Sequence, residues 1–322
     1  MHDPEKWKPI FRKDQALYVQ RTSVKLAAAI LIDGVIDASW LFIVAVGLTL
    51  VFGVLNILNF AHGSLFSVGA YAAASAVGWY YGGDLGPPFL GYLLMLGAAV
   101  AVALILGPLL ERGVLRFFYR RDEVVLVLVT YALFLILEDA TKLIWGAESY
   151  YASEPYALLG NVSFFGLSYV GYDFALIGLA VVTGLLLWFS LNRTITGKIV
   201  LAVIHDREIS RAMGVNVTRV FAFAFTLGIF LAALGGAFTA PKISVQPGIG
   251  VTVILLSFAV VVIGGLGSVE GAAIAALFVG FARAAAIHLV PWAELFIVYL
   301  VMALVLAFRP EGLFRRMSAR KI

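Results

Sequence analysis

The chain contains no cysteine. That excludes disulfides, thiolate metal sites and a cysteine nucleophile, and leaves the compartment open. Charge is also scarce: Asp, Glu, Lys and Arg make up 13% of 322 residues, about half the share of a soluble domain. A phosphate-binding loop is missing. Gly197-Lys198 is followed by Ile199, and Asn192 stands where the first glycine of G-x-x-x-x-G-K-[ST] belongs. This chain therefore does not hold ATP through such a loop, and ATP-driven work would need a motor on another chain. No acid–base or nucleophile set stands out, against an intramembrane hydrolase. His62 is too isolated for a ligand set, and no metal spacing joins His288 to Glu294. The first 25 residues are polar and charged, so no cleavable signal peptide is read there.

What is abundant is apolar surface. Hydrophobic residues make up 62% of the chain, and the mean hydropathy is +1.00. Apolar segments of about 18–24 residues recur, enough for a hydrocarbon core of about 30 Å. Outer-membrane strands would be about half that length and would alternate. The expected fold is an all-α polytopic membrane protein with about eight to ten transmembrane helices, some broken or short. Apolar segments are read near 34–58, 63–82, 88–110, 124–145, 172–191, 220–240, 251–266, 271–290 and 291–308. A basic extension, residues 1–32, precedes a single transmembrane domain over 33–322.

Of 23 Lys and Arg, all but Lys142, Lys242 and Arg283 fall within residues 1–25, 111–123, 192–220 and 309–322. Positive charge marks cytoplasmic loops, so these four segments are expected on one side. The loop near 146–171 has no Lys or Arg and belongs outside. The net charge of +4 then reports loop placement, not a nucleic-acid partner. Three segments before Arg112 would put the basic N-terminus outside, against the charge rule. A hidden broken helix near 24–60, a re-entrant segment or an exception to the rule would each resolve this.

The stretch Gly47–Tyr71 organises the chain. Asn56, Asn59 and His62 interrupt an apolar run, and polar groups there need partners or a wet path. If helical, Asn56, Asn59 and Gly63 share one face, which Ser67 and Tyr71 continue. Two readings stand: a tightly packed helix break, or a kink beside a translocation path. The path candidates are Asn56, Asn59, His62, Ser67 and Tyr71. Gly63, Gly228, Gly236, Gly267 and Gly271 are read as close helix-packing positions. Glu138 and Lys142, four apart, are expected to pair on one face. Glu138 with Asp139 is the only carboxylate pair that an ion-coupled transporter could use.

Residues 192–219 form a long basic loop with helical signals of its own. Asp206 is placed to cap a short helix over 207–213, and Gly214 suits its end. Glu208 lies in its first turn, and Arg207 and Arg211, four apart, would present charge on one face. The bland alternative is a helix lying on the membrane surface. Its apolar residues are few and small, which favours docking on a soluble partner.

At this point three patches carry a resemblance. They are Gly47–Tyr71 with Asn59-Phe60-Ala61-His62-Gly63 at its centre, Thr196-Gly197 through Ala212-Met213-Gly214-Val215, and Val262-Ile263-Gly264-Gly265-Leu266-Gly267-Ser268 with Gly271-Ala272. From about Ile32 onward the chain resembles the membrane permeases of branched-chain amino acid ABC importers, of the LivH type. The resemblance implies a multi-pass protein of the bacterial inner membrane that binds no cofactor itself. It implies a second permease chain of the LivM type, two ATPase chains that use ATP and Mg, and a periplasmic binding protein. It also implies inward transport of branched-chain amino acids or, within the same family, of urea, short amides or aromatic acids. The short helix after Asp206 would then be a cytoplasmic coupling helix.

Overall fold

The computed structural model describes residues 8–314 apart from 120 and 165, with side chains from residue 23 onward. The basic side chains expected from Lys6 to Arg21 and from Arg315 to Lys321 lie outside the described residues. Twelve α-helices and one two-stranded hairpin are present among the described residues. The longest is α1, Lys8–Leu55, followed by α2, Ala61–Gly82, and α3, Leu90–Gly113. Helix α4, Glu123–Trp145, leads to a loop that carries α5, Glu154–Ala157, and strands β1, Asn161–Phe164, and β2, Leu167–Val170. Then come α6, Gly171–Arg193, α7, Ile195–His205, α8, Arg207–Ala212, and α9, Val217–Thr239. The last three are α10, Ile249–Gly264, α11, Val269–Leu289, and α12, Glu294–Phe308.

Seven of these are long and apolar enough to cross a membrane: α1, α3 (with the turn after it), α4, α6, α9, α11 and α12 (with the turn before it). Two more traverse the bundle. Helix α2 has 22 residues but is diluted by glycine, serine and His62, and α10 has 16. Polar and small residues suit α2 because it is surrounded by protein. Nine crossings result, within the expected range. Isoleucine, valine and leucine fill α1 on every side between Leu41 and Val51, so no face is left for lipid. It packs chiefly against α11 and α9, while α9 also carries α2 and α3. Its apolar part, Ser23–Leu55, has 33 residues, roughly 50 Å of helix, so it outreaches the hydrocarbon core.

Close approaches need the missing Cβ atoms. A Cβ on Gly63 would stand 2.3 Å from the Gly250 carbonyl oxygen, and one on Gly236 2.1 Å from that of Phe66. Gly228 faces Val51, and Gly271 faces Gly264. Gly267 does not sit on a packing face. It lies in the turn between α10 and α11, with φ +85°, a conformation that favours glycine.

The element order fixes which ends lie together. The outer loop, with β1 paired antiparallel to β2, bridges to the α9–α10 connection through Tyr150 and Val245. Tyr92 at the start of α3 donates to the Pro155 carbonyl, 2.8 Å away. At the other end Arg207 meets Val54, and the backbone of Leu313 and Phe314 bonds to Ile263 and Gly264. The N-terminal half of α1 lies with the outer loop. Lys25 lies beside Gly166 of the hairpin turn, and Asp33 is hydrogen-bonded to Tyr169 of β2. Of the first basic segment, Lys25 therefore does not share the side of the described arginines in the other three. An unbroken single crossing by α1 overrides the charge rule there, and no hidden broken helix precedes α2.

Candidate functional site

The chain leaves helix after Leu55 and re-enters it at Ala61. Asn56 permits the break: its φ is +57°, a left-handed conformation that asparagine tolerates better than most residues. Because residues 56–60 are not helical, Asn56, Asn59 and Gly63 do not share a helix face. Asn56 is exposed and donates from Nδ2 to Glu123 Oε1, 2.9 Å away, at the start of α4. Asn59 is 1% exposed, and neither side-chain polar atom has a partner among the described residues. His62 is fully buried, with Nε2 2.9 Å from the carbonyl oxygen of Val44 on α1. Its Nδ1 is unpartnered. The histidine thus pins the first turn of α2 to the middle of α1.

The other side of α2 faces a buried carboxylate on α4. Ser64 Oγ and Ser67 Oγ each lie 3.4 Å from Glu138 Oε1. The backbone N–H of Gly248, just before α10, donates to Glu138 Oε2 at 3.1 Å. Glu138 does not pair with Lys142, as its spacing predicted. Lys142 binds Asp139 instead, at 3.2 Å on the exposed side, because Glu138 faces α2 and α10. Its two oxygens are met by the Ser64 and Ser67 hydroxyls and by a backbone N–H at the start of α10. One turn further on, Tyr71 is 1% exposed. Its ring stacks on Trp145 and its hydroxyl is unpartnered. Ser64, Ser67 and Tyr71 therefore follow one another on the side of α2 that faces α4, while His62 lies on the opposite side, against α1. No local signal marks this place of Glu138, since its contacts join α2, α4 and the start of α10.

The second group of residues is at the inner end. Asp206 Oδ1 accepts from the N–H groups of Glu208, at 2.8 Å, and Ile209, at 2.9 Å. At the other end of α8 the Val215 N–H returns to the Ser210 carbonyl and the Gly214 N–H to that of Arg211, with φ +86° at Gly214. Both ends of this one-and-a-half-turn helix are thus closed by defined caps. Arg207 and Arg211 do not present one charged face. Arg211 is exposed, but Arg207 turns inward and donates from Nη2 to the Val54 carbonyl at 3.1 Å. Its guanidinium stands 5.2 Å from the Phe221 ring centre. Burial pulls the Arg207 pKa down from its ordinary value, and the nearby Glu123 carboxylate opposes that shift. What α8 shows to the outside is Arg211 with the apolar side chains of Ile209 and Met213.

Arg207 joins the two groups. It holds the last turn of α1 and faces Glu123, which in turn accepts from Asn56 at the break. These contacts tie α8 to the place where α1 ends and α2 begins. Among the described residues no group of His, Asp and Glu is placed to hold a metal ion.

A family model described as "Branched-chain amino acid transport system / permease component" matches residues 30–306. The chain belongs to this family. It is 27% identical over 307 residues to the high-affinity branched-chain amino acid transport system permease protein BraD of Pseudomonas aeruginosa, covering 91% of this chain and 97% of that protein. LivH of Escherichia coli K12, another high-affinity branched-chain amino acid permease, is 24% identical over 300 residues, covering 90% and 96%. The fructose import permease FrcC of Rhizobium meliloti is 33% identical over 204 residues, which cover 60% of this chain and 54% of that protein. The chain is a LivH-like permease subunit, a multi-pass protein of the bacterial inner membrane. Residues 1–29 of the basic extension precede the matched residues.

Proposed function

We propose that this permease is the membrane-spanning subunit of an ATP-driven importer for branched-chain amino acids or related small polar solutes. Membership of the permease family, with near full-length similarity to BraD and LivH, carries this reading. In it, two ATPase chains, using ATP and Mg, seat α8 in a groove through Ile209, Met213 and Arg211. Asp206, Glu208 and Gly214 belong to the capped ends that let α8 move as a rigid body. A second permease chain of the LivM type completes the membrane unit. A periplasmic binding protein delivers the solute at the outer end.

The solute path is assigned to the groups along α2. Asn59, His62 Nδ1 and the Tyr71 hydroxyl are buried without partners among the described residues. Buried polar groups are costly unless satisfied, and a passing polar solute would satisfy them in turn. Asn56 acts at the inner edge, where it answers to Glu123 and Arg207. Ser67 shares the Glu138 carboxylate.

The test is to purify the tagged chain from its native membrane and reconstitute what comes with it. Two ATPase subunits should co-purify, and leucine uptake should depend on ATP and on the soluble binding protein. Uptake by the chain alone, driven by an ion gradient, would contradict the reading and favour a secondary transporter. A binding protein that prefers benzoate or urea to leucine would keep the importer and change its solute.

A further inference from the structure

At the inner end, a groove of about 590 Å³ opens between the last turn of α3 and the first turns of α9. Three arginines line it: Arg112, Arg116 and Arg219. All three are exposed, and none forms an ion pair with a described residue. The single carboxylate in the lining, Glu111, is 1% exposed and already accepts from Tyr119 at 3.0 Å. With three arginines against one buried carboxylate, the groove carries an excess of positive charge, concentrated by low-dielectric walls.

Its position decides what kind of anion it suits. On α9, Phe221, Ala224, Phe225 and Gly228 face the core. The lining residues Arg219, Ala222, Phe223 and Thr226 fall on the opposite side of the same helix. Arg207 of α8 stacks on Phe221, so the groove lies on the far side of α9 from the coupling helix. Below the arginines the surface turns apolar. Leu104, Ile105 and Leu109 on α3 are 65%, 65% and 59% exposed, and Phe223 on α9 is 49% exposed. Leu104 and Arg112 are eight apart, two turns along one stripe of α3. A stripe that runs from bare hydrocarbon to paired guanidinium groups matches a lipid, with chains below and a headgroup above. The end concerned belongs to the basic, cytoplasmic side, where the leaflet carries anionic headgroups.

We infer that the groove between α3 and α9 binds an anionic phospholipid, its phosphate held by Arg112, Arg116 and Arg219 and its chains along Leu104, Ile105, Leu109 and Phe223. A zwitterionic lipid offers the same chains without the net charge, and free phosphate offers the charge without the chains. Each arginine near the membrane surface strengthens anionic-lipid binding about fivefold.

The experiment is native mass spectrometry of the purified full chain in detergent, titrated with phosphatidylglycerol, with phosphatidylethanolamine of the same chains, and with inorganic phosphate. Phosphatidylglycerol should bind at least about tenfold more tightly than either other probe. Arg116→Gln should weaken it about fivefold, and the triple replacement of all three arginines by Gln about a hundredfold. Arg193→Gln, at the same end but outside the groove, should leave it unchanged. Equal retention of the two lipids by the unaltered chain would overturn the proposal without reliance on any variant. So would inorganic phosphate binding as tightly as the lipid, or undiminished phosphatidylglycerol on the triple variant. If the triple variant keeps the lipid but loses a co-purifying ATPase, the groove is a protein contact and the inference fails.

Discussion

The two ends of the bundle treat charge in opposite ways. All four ion pairs of Lys and Arg with described carboxylates lie at the outer end. Arg283 on α11 reaches Asp37 on α1 at 3.2 Å and Glu294 on α12 at 2.5 Å. Lys242 binds Asp173 at 2.8 Å, and His288 Nε2 stands 2.6 Å from Asp33. The three cations that fall outside the basic segments are thus all paired within the chain. At the inner end, Arg112, Arg116, Arg193, Arg211 and Arg219 are exposed and form no ion pair with a described residue. The exception is Arg207, which is turned inward onto Val54 and Phe221. The outer end is therefore tied to itself, which holds α1, α11 and α12 together where a ligand-delivery protein would press. The inner end keeps its cations free for other molecules, and spends one arginine on linking α8 to the α1–α2 break.

Breaking an outer tie should have the largest effect on stability. Arg283→Ala leaves two carboxylates facing each other in a half-buried site, and should cost about 3 kcal/mol. The expected readout is a clear fall in thermal unfolding temperature in nanodiscs; an unchanged temperature would remove the outer lock. Next comes a backbone change at the inner end. Gly214→Val forces a β-branched residue to φ +86°, a strain of about 1–3 kcal/mol. It should fray α8 while global unfolding stays near the parental temperature, so the two ends separate in one pair of measurements. Asp206→Ala should cost about 1 kcal/mol of local helix. Hydrogen exchange of the Glu208 and Ile209 amides should rise about fivefold, with little change at the outer end.

A pH scan sharpens the comparison from the outer side. Tyr156 donates to Asp173 at 3.1 Å, and burial, with the Asp173 carboxylate behind it, pushes its pKa up to about 12. Its ionised form is disfavoured in the folded chain. The stability it contributes is complete below about pH 10, the ordinary tyrosine value, and is lost as pH rises through 12. Tyr156→Phe should flatten the unfolding profile over that interval, whereas a profile unaltered by the replacement would show that Tyr156 does not report on the outer cluster. The smallest effect is expected from Arg211→Ala. An exposed, unpaired arginine should change stability by less than about 0.5 kcal/mol, and a larger loss would show that the inner cations are not free.

Much of this architecture is legible in the sequence because membrane spans are set by length and apolarity alone. The segment read at 124–145 is α4, Glu123–Trp145, and that read at 172–191 is α6, Gly171–Arg193. The caps of α8 are equally legible, since Asp206 and Gly214 act on their own neighbours. What is not legible is tertiary. Glu138 and Lys142 have the spacing of a pair, yet Glu138 is claimed by α2 and α10. Arg207 and Arg211 have the spacing of a charged face, yet one is drawn to Val54, 153 residues away in the chain. The side of the N-terminus fails for another reason. The three segments read before Arg112 are α1, α2 and α3 and put the N-terminus outside, so the count is right and the charge rule is what gives way.

In the proposed importer, Arg207 carries movement of α8 to the break between α1 and α2. The most direct measurement compares ATP hydrolysis with solute uptake in the reconstituted complex, for the parental chain, Arg207→Ala and Arg211→Ala. The account predicts that Arg207→Ala keeps the ATPase bound and hydrolysing while uptake falls at least about tenfold, the equivalent of one charge-assisted hydrogen bond. Arg211→Ala should keep uptake and hydrolysis in proportion. Parental uptake by Arg207→Ala, with the complex intact, would contradict it.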